Sequence, residues 1–141
     1  MADSVRSTSA AAMTVAASAL RAQQARMRVI AENIANANST SATKGGDPYR
    51  RQIPVFEAQR LGGGLEGVRL KGVEPDQREF KSEYDPGHPG ADDNGYVKTP
   101  NVDTLVEAMD MRQAQRAYEA NLNVIETARS MEMRTLDLLK K

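Results

Sequence analysis

The distribution of glycine and proline constrains this chain more than any other feature of its sequence. All ten Gly and all six Pro lie between Gly45 and Pro100, and residues 1–44 and 101–141 contain neither. Because these residues are the strongest breakers of a helix, their confinement predicts two uninterrupted terminal helices around an irregular middle segment. The predicted fold class is therefore α+β.

The amino-terminal segment has the seven-residue repeat of a helix that packs along a narrow stripe. We predict a helix from about Ser9 to Ala37. It ends in an asparagine-rich stretch, and Asn tolerates the left-handed backbone that terminates helices. The stripe contains Met13, Leu20, Met27 and Ile34, with Ala16, Gln23, Ile30 and Ala37 three residues further along.

The carboxy-terminal segment predicts a second helix, from about Asp103 to Leu139, that carries two apolar stripes. Thr104 and Glu107 have the spacing of a capping box at its start. One stripe contains Ala117, Val124, Met131 and Leu138, and the other contains Leu122, Ile125, Met133, Leu136 and Leu139.

The middle segment, about residues 41–101, predicts short strands joined by turns. Residues 67–73 alternate as a strand does, and Tyr49–Phe56 predicts another strand, which Pro54 restricts to a sheet edge. The remaining features are a hairpin loop at 62–64, a turn at 85–90 and a short strand at 96–97. Five of the six aromatic residues lie in this segment, which predicts a small compact core.

The composition is poor in large apolar residues. Leu, Ile, Val and Phe total 25 residues, whereas Ala alone contributes 20. Because Ala favours helix but buries little area, long Ala-rich helices depend on packing against neighbours. We therefore expect the isolated monomer to be only partly ordered.

Charge and cysteine content exclude several classes of function. Acidic and basic residues number 19 each, so nothing indicates nucleic acid or an anionic membrane as a partner. The chain contains no Cys, which excludes disulfides and zinc–thiolate sites. Residues 7–19 imitate a signal peptide, but their apolar region is weak. Cleavage there would cut the helical pattern, so we expect no cleaved signal.

The sequence offers no cluster of residues suited to catalysis, cofactor binding or metal binding, and no small-molecule substrate is expected. His88 is the only histidine, and we expect it to be a solvated loop residue. Residues 92–95 lack the other acidic ligands of a calcium loop, so we predict that they form a turn. Methionines at helical spacing are adaptable packing groups.

The two terminal helices flank a middle segment short enough to let them pair antiparallel, as a coiled-coil-like inner domain. Such pairing leaves the second stripe of the last helix without a partner in the chain. An unpaired apolar stripe marks an interface, and a heterologous contact that does not close builds a helical filament. The predicted assembly residues are Met13, Leu20, Met27, Ile30, Ile34, Ala117, Leu122, Val124, Ile125, Met131, Leu136 and Leu138.

Several motifs resemble those of the flagellar axial proteins. Residues 18–23 and 29–37 are similar to the amino-terminal signature of rod and hook proteins, and residues 116–121 are similar to the carboxy-terminal one. The middle segment resembles the rod proteins of the C type in particular. The motifs that carry this narrower resemblance are Tyr49–Arg51, Tyr84–Pro89, Gly95–Val97 and Pro100–Asp103.

This resemblance implies a non-enzymatic subunit of the proximal flagellar rod, located in the basal body where the rod spans the periplasm. It implies other rod subunits, further copies of the chain and the flagellar type III export apparatus as partners. The implied organisation is a disordered export segment (1–8), two inner-domain helices (9–40 and 102–141) and a β-rich outer domain (41–101). A soluble coiled-coil adaptor or export chaperone is the alternative, and it would form a discrete, well-folded oligomer.

Overall fold

The computed structural model describes residues 2–140, and for residues 2, 3, 5 and 6 it describes the backbone alone. Two long helices, α1 (Ala2–Ala35) and α2 (Thr104–Leu139), flank four strands. The strands are β1 (Gln52–Gly62), β2 (Leu65–Pro75), β3 (Lys81–Tyr84) and β4 (Tyr96–Thr99). The α+β class predicted from the Gly and Pro distribution is confirmed. In the described part of the chain, neither helix combines the length and apolarity needed to cross a bilayer.

Helix α1 begins at Ala2 and not near Ser9. Residues 2–8, predicted to be disordered, are therefore helical, while Met1 lies outside the described residues. The hydroxyl of Thr8 donates to the Ser4 carbonyl at 2.8 Å, so this side chain is satisfied inside the helix and does not end it. The export role of the segment stays a prediction.

Asp103, and not Thr104, caps the start of α2. Its Oδ1 accepts hydrogen bonds from the backbone N–H groups of Leu105 (3.0 Å) and Val106 (3.4 Å). These are donors that the first helical turn cannot satisfy itself. The capping box predicted at Thr104 and Glu107 is therefore wrong by one residue, and Glu107 is free for a different interaction.

The strands form two separate two-stranded sheets, β1 with β2 and β3 with β4. The hairpin loop predicted between β1 and β2 is confirmed, with positive φ at Gly62, Gly63 and Gly64. Strand β3, which the sequence did not predict, pairs antiparallel with β4 from Lys81 opposite Thr99 to Tyr84 opposite Tyr96. Tyr84 and Tyr96 meet edge to face but stay 65% and 48% exposed, so the predicted aromatic core is wrong for this pair.

The chain forms two compact units, and each combines parts of both helices with part of the middle segment. Unit 1 contains residues 1–26, 55–72 and 113–141, and unit 2 contains residues 27–54 and 73–112. The predicted division into inner and outer domains follows different boundaries and stays a prediction.

Unit 1 has an interior of small residues. Its fully buried apolar side chains include Ala16, Ala22, Ala114 and Ala128. The guanidinium of Arg26 donates to Gln113 Oε1 at 3.0 Å, and residues 4–12 share a groove with residues 123–131. These contacts occur in the order that antiparallel helices would give. Interiors of this kind bring helix axes close together but bury little area per residue.

The hairpin of unit 1 approaches α1 at a glycine. The buried Ser18 hydroxyl accepts a hydrogen bond from the backbone N–H of Val68 at 3.3 Å. A Cβ placed on Gly67 would collide with Ser18 Oγ and lie 2.7 Å from Leu61 Cδ1. The absence of a side chain at Gly67 therefore permits this close approach.

Replacing Gly67 with Ala is expected to destabilise the protein by about 1–3 kcal/mol, the typical cost of overpacking. Gly72→Ala is the matched control, because a Cβ on Gly72, also in β2, would meet no atom within 4 Å. The stability of both variants is measured as the midpoint of urea unfolding, followed by circular dichroism. Equal midpoints for the two variants would contradict the close approach at Gly67.

Candidate assembly surface

Large apolar side chains are exposed along most of α2. Of the fourteen that are exposed among the described residues, ten lie on this helix. They are Leu105, Val106, Met109, Leu122, Val124, Met131, Met133, Leu136, Leu138 and Leu139. Exposed apolar side chains in this number indicate an interaction surface.

Some of the predicted assembly residues of α2 are exposed to solvent, and others are partly buried. Leu122, Val124, Met131, Leu136 and Leu138 are exposed, whereas Ala117 and Ile125 are half-buried. The stripe that contains Val124, Met131 and Leu138 is therefore not the face that α2 buries, because Ala114 and Ala128 occupy that face. Leu105, Val106 and Met109, near the start of α2, are exposed as well but were not among the predicted assembly residues.

The predicted residues of α1 are mostly less exposed. Ile30 is buried, Met13, Leu20 and Met27 are half-buried, and Ile34 is 37% exposed. Ile30 thus packs within unit 2. The part that these five residues play in assembly stays a prediction.

An apolar groove of about 460 Å³ lies on unit 1. One wall comes from α1, through Ser4, Thr8, Ser9 and Ala12, and the other comes from α2. The α2 wall consists of Asn123, Val124, Thr127, Ala128 and Met131. No lining residue is charged, so the groove favours an apolar occupant.

A buried ion pair organises unit 2. Glu107 of α2 has no solvent exposure and accepts a hydrogen bond at Oε1 from Nε of Arg51. The same guanidinium donates to Asp76 Oδ2 at 3.2 Å and lies 3.8 Å from Asp110 Oδ2. Burial lowers the pKa of Arg51, but its hydrogen bonds and attraction to Glu107 and Asp76 raise that pKa above its ordinary value. Arg51 therefore remains charged and joins the start of the hairpin to α2.

Asp76 is the second centre of the unit 2 network. Arg78 donates to its carboxylate through the backbone N–H at 3.0 Å and through Nε at 2.9 Å. Asn101 donates to its carbonyl at 3.0 Å and accepts from the Arg51 N–H at 2.7 Å. The hydrogen bonds from Arg78, followed by that from Arg51, lower the pKa of Asp76 to about 2 although burial opposes the shift.

Asn33 fastens α1 to the start of β1. Its side chain donates to the Gln52 carbonyl at 2.8 Å and accepts from the Gln52 N–H at 2.9 Å. The Tyr49 hydroxyl donates to the same Asn33 oxygen at 2.7 Å. Burial raises the pKa of Tyr49, and the charges of Glu32 and Glu107 raise it further, so this donor keeps its proton.

His88 has a structural position and is not the solvated loop residue that we expected. It is half-buried, its Nδ1 accepts from the Gly90 N–H at 2.8 Å, and its Nε2 lies 2.9 Å from the Thr40 hydroxyl. Since Nδ1 accepts, Nε2 carries the proton of a neutral ring. Among the described residues, no group of His, Cys, Asp or Glu is arranged to hold a metal ion.

Residues 93–138 match the family described as flagellar basal body rod FlgEFG protein, C-terminal, and residues 13–42 match the family described as flagella basal body rod protein. Flagellar basal-body rod protein FlgC of Agrobacterium fabrum is 49% identical over 132 residues, covering 92% of this chain and 94% of the relative. The chain belongs to the FlgC family of flagellar basal-body rod proteins. FlgC of Salmonella typhimurium is 43% identical, covering 88% and 92%, and FlgC of Bacillus subtilis is 35% identical, covering 91% and 96%.

The family matches fall on the elements that the sequence analysis singled out. The match to residues 13–42 covers most of α1, and the match to residues 93–138 covers β4 and nearly all of α2. The resemblance to the C-type rod proteins, inferred from short motifs, is confirmed. In this FlgC-family chain, Arg51, Asn101 and Asp103 belong to those motifs, and the structure gives each a defined hydrogen-bonding role.

Removing the Glu107 carboxylate is expected to destabilise unit 2 strongly. Glu107→Ala leaves the Arg51 guanidinium without its most buried partner, and breaking a buried ion pair costs about 3–5 kcal/mol. Asp110→Ala is the matched control on the same helix, because Asp110 is half-exposed and more distant from Arg51; it should cost less than about 1 kcal/mol. Urea unfolding measures the free energy of unfolding of each variant. Similar losses of stability in the two variants would contradict the central position of Glu107.

The depressed pKa of Asp76 predicts a specific loss of stability in acid. Its folded pKa of about 2 lies below the ordinary value of 3.8, so the ionised carboxylate stabilises the fold above about pH 4. That contribution is lost as the pH falls from about 4 to about 2, when the carboxylate is protonated. The urea midpoint should therefore fall more steeply across this interval in the wild type than in Asp76→Asn. Parallel pH profiles would show that Asp76 does not contribute.

Proposed function

We propose that this chain is a structural subunit of the proximal flagellar rod, and that it polymerises through α1 and α2 into the torque-transmitting axle of the basal body. Membership of the FlgC family supports the rod assignment. The single observation that supports polymerisation is the number of large apolar side chains exposed on α2. Burying these side chains against neighbouring subunits would give the Ala-rich helices packing that the isolated chain supplies only sparsely.

Two properties of the structure suit a mechanical role. The helices contain 34 and 36 residues, which corresponds to about 51 and 54 Å at 1.5 Å per residue. Long rigid elements distribute a load over many contacts of moderate strength. The buried network of Arg51, Asp76 and Glu107 fixes the ends of the hairpin and of α2 within unit 2, where loose attachment would dissipate torque.

The proposed partners are other proximal and distal rod subunits and further copies of this chain. Export through the flagellar type III apparatus, without a cleaved signal, would deliver the subunit to the rod in the periplasm. A chain that completes its packing only beside neighbours would pass a narrow export channel more easily than a fully stable one. The proposed role is structural and requires no enzymatic activity or cofactor.

A deletion strain tests the proposal through swimming and electron microscopy of purified basal bodies. The strain should be non-motile and lack complete rods. The full-length gene should restore both properties, and a gene that lacks residues 105–141 should restore neither. Complementation with Leu122→Lys should restore motility poorly, because Leu122 is an exposed apolar residue of α2 and a charge there is costly to bury at an interface.

Leu122→Met is the matched control, since it keeps an apolar side chain of similar volume at the same position. Helicity of the purified variants, measured by circular dichroism, should be the same for Met and Lys. Complete rods in the deletion strain would overturn the proposed function. Normal incorporation of Leu122→Lys would remove Leu122 from the interface and leave the rod assignment in place.

A further inference from the structure

A polar pocket of about 370 Å³ lies on unit 2, beside the loop that joins β2 to β3. All of its lining residues belong to unit 2. Charged side chains dominate the lining, unlike that of the apolar groove on unit 1. The basic ones are Arg50, Arg78 and Lys98, and the acidic ones are Asp47 and Glu79.

Arg50 is the basic lining residue without an acidic partner. Arg78 pairs with the Asp76 carboxylate at 2.8 Å, and Lys98 pairs with that of Asp47 at 3.1 Å. Among the described residues, no carboxylate forms an ion pair with the half-buried Arg50. Because a guanidinium keeps its charge in proteins, a water molecule or an acidic group from outside the chain must meet that charge.

The guanidinium of Arg50 is held with one edge unused. Its Nη1 donates to the carbonyls of Asp76 at 2.6 Å and Arg78 at 3.1 Å, which uses both Nη1 hydrogens. Its Cζ lies 4.2 Å from the centre of the Phe80 ring, which covers one face. Within the described part of the chain, Nε and Nη2 contact no acceptor. Their hydrogens lie side by side, in the arrangement that receives both oxygens of one carboxylate.

We propose that this pocket binds a single Asp or Glu carboxylate of a neighbouring rod subunit through the Nε–Nη2 edge of Arg50. The inference rests on the proposed function and adds a contact of stated chemistry away from the exposed apolar residues of α2. One unpaired guanidinium calls for one negative charge. Asp47 and Glu79 would repel a second, so a phosphate group, which carries nearly two charges, fits the pocket less well.

The strength of such a contact favours a carboxylate that belongs to an adjacent protein. Two hydrogen bonds from a half-buried guanidinium bind a free anion no more tightly than about millimolar. A carboxylate that an assembly holds beside the pocket binds at a high effective concentration instead. Because two parallel hydrogen bonds require alignment, the contact would also fix the orientation of the neighbouring subunit.

An amine placed at position 50 tests the contact by cross-linking. Arg50→Lys keeps the positive charge and places Nζ at about the position of the Arg50 Cζ. A water-soluble carbodiimide joins an amine to a carboxylate that touches it. The amide bond forms between Nζ and the carboxyl carbon, and the reagent takes up the elements of water and becomes a urea. The wild-type guanidinium does not react, because it stays protonated.

The cross-link is measured in basal bodies purified from the deletion strain that carries Arg50→Lys. A denaturing gel should show an intermolecular product that the wild type lacks. Mass spectrometry should locate the link at one acidic residue of a neighbouring rod subunit. The urea midpoint of purified Arg50→Lys should stay close to the wild-type value, since the amine can still donate to the two carbonyls.

Two further lysine variants establish where the cross-link forms. Gln77→Lys places an amine in the pocket while Arg50 stays intact, and it should give a link to the same acidic residue. Arg112→Lys is the matched control, because Arg112 is exposed in unit 2 but does not line the pocket. It should give no link to that residue.

A charge swap tests the effect of the contact on assembly. Arg50→Glu should reduce the number of complete rods about tenfold or more, since two hydrogen bonds to a charged group are replaced by repulsion. Changing the cross-linked acidic residue to Arg in the same cells should restore the rods. A folding defect of Arg50→Glu would not be repaired by a change in another molecule, so restoration identifies the ion pair.

Other results decide against specific claims. Complete rods that contain Arg50→Lys and Gln77→Lys but give no intermolecular product would overturn the inference, and so would a swap that restores no rods. Sodium acetate bound by the purified chain far more tightly than about millimolar, seen in the NMR signal of the Arg50 Nε–H, would assign the pocket to a free carboxylate instead. Complete rods in the deletion strain would overturn the proposed function itself, whatever the cross-links show.

Discussion

The ion pair between Arg51 and Glu107 is the interaction on which unit 2 depends. It lies at the first residues of the hairpin. Arg51 makes further hydrogen bonds to Asp76 and Asn101, and Arg78 donates to Asp76. A buried charge without a partner is costly, so the network stabilises one arrangement mainly by penalising the others. Unit 2 thus obtains a defined geometry from polar contacts, although its apolar interior is small.

Unit 1 is held together in a different way. Its buried residues are mostly Ala, and the Ser18 hydroxyl ties the hairpin to α1. Small side chains allow close helix packing, but they leave the larger apolar residues of α2 facing outward. A protein that functions within an assembly gains from this distribution, because its subunit interface receives the side chains with the largest apolar area.

The sequence predicted the architecture well and the contacts poorly. The confinement of Gly and Pro located both helices and the hairpin loop, because these residues act on the local backbone. The repeat on α2 predicted the spacing of apolar residues but not the buried face, since Ala114 and Ala128 pack inward while Met131 and Leu138 face outward. Glu107 was interpreted as part of a helix cap, because its partner, Arg51, lies 56 positions away and local spacing does not indicate the pair. Strand β3 was missed because all four of its residues are exposed and only its pairing with β4 makes it a strand.

The interior of alanine side chains and buried polar groups also has a thermal consequence. Exposure of apolar surface raises the heat capacity on unfolding, whereas exposure of polar surface lowers it. In a chain that buries little aliphatic area and several polar side chains, including Asn33, Asp76, Asn101 and Glu107, the two contributions partly cancel. The free energy of unfolding of the isolated subunit should then vary with temperature along a flatter curve than that of a globular domain of equal length. The subunit would enter assembly with nearly the same stability in cold and in warm surroundings.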